Sequence, residues 1–200
     1  MLYYVKQAIF PLLYLIFMAI IALGIGLIGN DLLWLKIVLY LVNLGFYIFL
    51  MGATFYKEGQ TALKVRHAND LEREEIIRTG DPRPLKLKEE YKWWKGYVMG
   101  LITAGPLVVC MIIHLILILA AGEGYIGAGT AASLLYLAFF APYSIFFEGT
   151  LTAGQFFILL YAVPVISAMA GVPYVLGGRK QQAQYDKINA RQRMIYGDKK

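Results

Sequence analysis

Three side chains stand out because their chemistry is foreign to the apolar stretches that hold them: Lys36, Asn43 and His114. An ionisable group inside a hydrocarbon layer is costly, so it is a functional hypothesis by default. Lys36 and Asn43 are seven residues apart, two turns on, and share a helix face. His114 falls about eight residues before Gly122, roughly 12 Å from that end at the helical rise. A Lys36–Asn43 stripe opposite His114, closed on the outside by Glu148 or Glu123, would make a polar seam able to pass a proton or bind a small polar substrate. The plainer expectation is that Asn43 and His114 hydrogen-bond to neighbouring helices and hold a bundle together. Lys36, near a helix end, can run its stem out to the headgroups. Acid–base catalysis would need a second positioned group, and nothing at fixed spacing supplies one.

Other chemistry is thinly represented. There is no phosphate-binding G-x-x-x-x-G-K-[ST] loop, no H-E-x-x-H and no G-x-S-x-G. The histidines His67 and His114 are far apart in the chain, and Cys110 is the lone cysteine. No metal, cofactor or catalytic residue is expected, and the cysteine says nothing about redox compartment.

The elements that must position these groups follow from composition. Of 200 residues, 59% are apolar and only 16% charged, against about 25% charged in ordinary soluble domains. A globule of this size has too much surface to clothe with so few charges. The class expected is an all-α integral membrane protein; disorder, disulfide scaffolds and soluble enzymes are excluded. Charge-poor runs cover 8–29, 37–56, 97–122, 124–147 and 149–178, each as long as the ~20 residues that a spanning helix needs. The first run is too long for the apolar core of a secretion signal, so an uncleaved helix is expected.

Charge sorting sets orientation. Ten Lys and Arg lie in 57–95 and seven in 179–200, and both blocks belong in the cytoplasm with the N-terminus. Five full crossings would export the basic tail. The segment 124–147 is the weakest, opening on Gly124, Gly127 and Gly129 and broken at Pro142. Its uninterrupted part, 130–141, is about 18 Å long, roughly half the core. The expected architecture is therefore a bundle of four transmembrane helices plus one re-entrant or interfacial helix; the alternative is five full spans. The regions are 1–56 (first helix pair), 57–96 (cytoplasmic helical loop), 97–178 (second transmembrane region, partial helix near 130–147) and 179–200 (basic cytoplasmic tail).

In the loop, 60–79 is rich in helix formers, and Gly80-Asp81-Pro82 is a stop signal. The segment reads as the second span continuing into the cytoplasm, with Asp70–Arg73 and Glu74–Arg78 pairs along it. Tyr91, Trp93 and Trp94, flanked by Lys92 and Lys95, read as an interfacial anchor. The tail suits anionic lipid or a second protein. Besides the bilayer, the expected partner is a protein at 57–96 or 179–200; nucleic acid is not expected, and an oligomer is open. The function expected first is a non-enzymatic accessory or assembly subunit of the plasma membrane with both termini cytoplasmic. A small transporter or substrate-binding component is the alternative, favoured by Pro142, Pro164, His114 and Asn43. A membrane-embedded lipid-modifying enzyme comes third.

Overall fold

The computed structural model describes residues 2–26, 28, 32–80, 91–121 and 160–196. The expected partial helix near 130–147 and Glu148 lie outside them. Among the described residues there are four helices and no strand: α1 (Leu2–Gly26), α2 (Leu33–Thr79), α3 (Lys95–Ala121) and α4 (Ala162–Tyr196).

The 47 residues of α2 make one rod about 70 Å long. No proline interrupts it, and it passes unbroken from the apolar run into the charged segment. It stops where Gly80 adopts a left-handed φ of 64° and donates its N–H to the Ile76 carbonyl at 2.9 Å. Such a backbone is cheap only for a residue without a Cβ. Likewise α4 runs through the expected boundary at 178/179 without a break. Residues 57–79 and 179–196 thus continue these two helices past their apolar runs.

Side-chain contacts fix how the helices run. Tyr40 reaches the Ala22 carbonyl and Asn43 that of Met18, so α2 descends as α1 rises. Gly96 lies beside Tyr174 and Gly171, and Gly100 beside Ser167 and Ala170, so α3 and α4 are antiparallel. Gly52 faces Pro173, whereas His67 stacks on Tyr185, so α2 and α4 are parallel. The helices close a ring in which α2 and α3 each touch both α1 and α4.

Inside the ring, the core is Leu15, Met18, Met51, Phe55, Leu107 and Ile166 with their neighbours. Outside, large apolar side chains face away from the protein: Phe49 is 68% exposed and Leu119 69%. Few residues in the apolar windows of α2 and α3 are buried, 22% and 28%. A water-soluble monomer rarely shows apolar surface on this scale. Both helices are long and apolar enough to cross a bilayer, which fits a membrane location.

Candidate functional site

The polar residues of the apolar layer sort by helix face. On α2 the buried positions include Lys36, Tyr40, Asn43, Tyr47, Met51 and Phe55, steps of three or four that keep one face inward. Lys36 and Asn43 therefore do lie on one stripe, and both are buried, at 9% and 6% exposure. Lys36 lies in the first turn of α2 and is buried by the helix packing. Asn43 donates from Nδ2 to the Met18 carbonyl of α1 at 3.1 Å. Its Oδ1 is buried and takes no partner among the described residues. His114 is half-buried on α3. The pairings above put it at about the height of Lys36, near the end of α1. Glu148, the fourth member of the expected seam, falls outside the described residues.

The expected aromatic anchor divides in two. Trp93 and Trp94 are exposed, and Lys92 sits 5.7 Å over the Trp94 ring. Tyr91 instead turns inward, half-buried, with its ring stacked on Tyr174 at 5.3 Å and 7°. It seats against Gly178, where a Cβ would strike the ring. Burial pushes the Tyr91 phenol above its ordinary range, and the charge of Arg179 partly opposes that.

A further feature is the glycine seam, only part of which spacing announces. A Cβ on Gly59 would run into the Tyr174 carbonyl, and one on Gly177 into the Tyr56 carbonyl. The contact is reciprocal, backbone on backbone, at the point where α2 and α4 exchange apolar for charged sequence. Along α3, Gly96 and Gly100 form a G-x-x-x-G step whose Cβ atoms would lie 2.6 Å from the Tyr174 Cβ and 2.7 Å from the Ser167 Cα. Ser167 Oγ adds a hydrogen bond to the Tyr97 carbonyl at 3.1 Å. Small residues let membrane helices approach this closely. The G-x-x-x-G signal was present in the sequence; Gly59 and Gly177 carry no local motif.

Beyond the seam, α2 and α4 travel together as a two-helix stalk. His67 stacks on Tyr185, with centroids 4.3 Å apart. Around that pair lies an open cleft of about 230 Å³, lined by Leu63, Arg66, His67, Asp70, Gln182, Tyr185 and Asn189. Asp70 is held by Arg73 at 3.0 Å and Asp186 by Gln182 at 2.9 Å. The tail thus packs on α2 of its own chain through Tyr185. No group of three or more metal-ligating side chains occurs among the described residues. The cleft is polar and open to the surface, unlike the enclosed apolar pockets that hold small ligands. No protein-family model, curated protein or solved structure matches the chain.

Proposed function

We propose that this chain is a four-crossing protein of the plasma membrane, both termini cytoplasmic, acting as a non-enzymatic accessory subunit that offers its α2/α4 stalk to a protein partner. The observation that carries the reading is the parallel, glycine-locked exit of α2 and α4. It joins loop and tail into one platform extending about 34 Å past Lys57 on α2 and about 27 Å past Gly178 on α4. Two outer faces are then available side by side. From Asp70 to Arg78, α2 carries four acids and two bases; α4 carries five bases and one acid from Arg179 to Arg193. Opposed charge fields of this kind favour partner choice and orientation over raw affinity.

The direction of α4 supports four crossings. With five, the last helix would run the same way as α3, whereas α4 runs against it. On this reading the chain between α3 and α4 makes no net crossing. On this topology a cysteine at Tyr125 labels from outside and a reporter fused after Lys200 reads cytoplasmic. External labelling of the tail would sink it.

The functional part is tested by complementation of a deletion strain. Replacing the exposed stalk charges Glu72, Glu74, Lys187 and Arg191 with Ser abolishes rescue, whereas Asn43→Leu and His114→Leu rescue fully. The opposite result would favour the transporter reading, which is supported by the buried Oδ1 of Asn43, without a partner among the described residues.

A further inference from the structure

The first charged residues beyond the apolar runs come from four separate places in the sequence, and the fold gathers them at one height. On α2 the apolar run ends at Lys57; on α4 it ends at Arg179 and Lys180; α3 is preceded by Lys92 and opens on Lys95. The contacts Gly59–Tyr174, Tyr56–Gly177 and Tyr91–Gly178 tie these points together, within a band of about 10 Å at the helical rise. The antiparallel pairing of α1 with α2 brings Lys6 to the same height. Among the described residues of that band, Glu58 is the one acid against six bases.

These cations are not scattered round the rim. Lys92 and Arg179 flank the Tyr91–Gly178 contact, at the edge between α3 and α4. Lys180 lies 5.6 Å over the Tyr56 ring, next to Lys57, at the edge between α2 and α4. All four of these bases are exposed. Each α4 edge therefore offers two cations and an aromatic ring, with apolar helix surface directly on the membrane side. A phosphate with acyl chains hanging from it matches that order of groups, and basic pockets between helices on the cytoplasmic side bind anionic headgroups.

We propose that the two edges of α4 at this band, Lys92/Arg179 and Lys57/Lys180, form a binding site for the headgroups of anionic phospholipids. The site rests on the topology proposed above, which puts the band at the cytoplasmic leaflet, but not on the stalk having a partner.

The experiment uses the full chain in nanodiscs of phosphatidylcholine with or without phosphatidylglycerol, read by thermal unfolding and by lipid retention in native mass spectrometry. Phosphatidylglycerol should raise the unfolding temperature and be retained, and added salt should weaken both effects. The Lys92→Gln/Arg179→Gln/Lys180→Gln variant should lose about fivefold in lipid affinity per charge removed, so about 25-fold at the Lys92/Arg179 edge and about fivefold at the Lys57/Lys180 edge. Charge-keeping Lys92→Arg/Arg179→Lys/Lys180→Arg should bind as the parent does, as should Lys187→Gln/Arg191→Gln further along the stalk. Equal stability of the parent in the two lipids would overturn the site, and that result needs no variant to fold. So would equal stabilisation by inorganic phosphate in phosphatidylcholine discs, or undiminished retention in the triple Gln variant. Cysteine labelling of the stalk separates the two failures: a stalk labelled from outside refutes the topology, while a cytoplasmic stalk without lipid preference refutes the site alone.

Discussion

Two helix seams in this protein hold by different means. Where α2 meets α4, glycines remove the side chains altogether, and backbone lies on backbone at Gly59–Tyr174 and Gly177–Tyr56. Where α2 meets α1, side chains reach across instead: Tyr40 to the Ala22 carbonyl at 3.4 Å and Asn43 to that of Met18 at 3.1 Å. The first seam depends on shape and has no slack, since any added atom displaces a helix. The second depends on individual hydrogen bonds, worth about 0.6 kcal/mol each between membrane helices. The difference teaches that the α2–α4 seam leaves no room for an added atom, while the α1–α2 seam adds separable bonds to the apolar packing of Leu15 and Met18.

Substitutions in the glycine seam should have the largest effect. Gly59→Val or Gly177→Val puts atoms where a carbonyl already sits, and should cost about 3 kcal/mol, seen as a fall in unfolding temperature and loss of a disulfide engineered between α2 and α4. Gly45 has open space around it, so Gly45→Ala should be neutral or gain up to about 1 kcal/mol through helix propensity. Equal losses at Gly59 and Gly45 would mean that the seam is not the tight contact described.

Next comes the aromatic wedge that braces the same seam from α3. Tyr91→Ala removes the ring stacked on Tyr174, and should cost about 2 kcal/mol, combining lost burial with the stacking term. Trp93, 65% exposed, should change stability by no more than about 0.5 kcal/mol in micelles. The Trp93→Ala/Trp94→Ala pair should act elsewhere, letting the start of α3 shift in depth, as read by accessibility of cysteines at Lys95 and Val98.

The α1 seam should prove more forgiving. Asn43→Leu loses one bond of about 0.6 kcal/mol but also removes a buried carbonyl oxygen that has no partner among the described residues, a cost of about 1–3 kcal/mol. The unfolding temperature should hold or rise by a few degrees. A clear fall would show that Oδ1 has a partner that matters, such as a bound water or ion.

The smallest effect belongs to His114. Gln keeps a donor and an acceptor but does not titrate near neutrality, so His114→Gln should stay within about 0.6 kcal/mol of the parent and rescue the deletion strain. A stable variant that behaves like the deletion would move the function from the stalk to the helix interior.

The sequence by itself determined the elements that depend on neighbours in the chain. Charge-poor runs of about 20 residues can bury their backbone polar groups in hydrocarbon only as helices. Gly80 ends α2 because its local backbone needs no distant partner, and the i, i+3 spacing of Asp70 and Arg73 brings them together on any helix. Periodicity likewise put Lys36 and Asn43 on one face. What only the tertiary structure decided depends on which faces meet. Nothing near Gly59 in the chain says that Tyr174 will press on it, and Tyr91 reads like Trp93 until Gly178 opens a seat for its ring. Likewise nothing near Tyr185 in the chain says that its ring will stack on His67. The gathering of Lys57, Lys92, Arg179 and Lys180 at one height follows from helix directions and registers. Those are set by packing between segments about 70 to 120 residues apart in the chain, which no local pattern can encode.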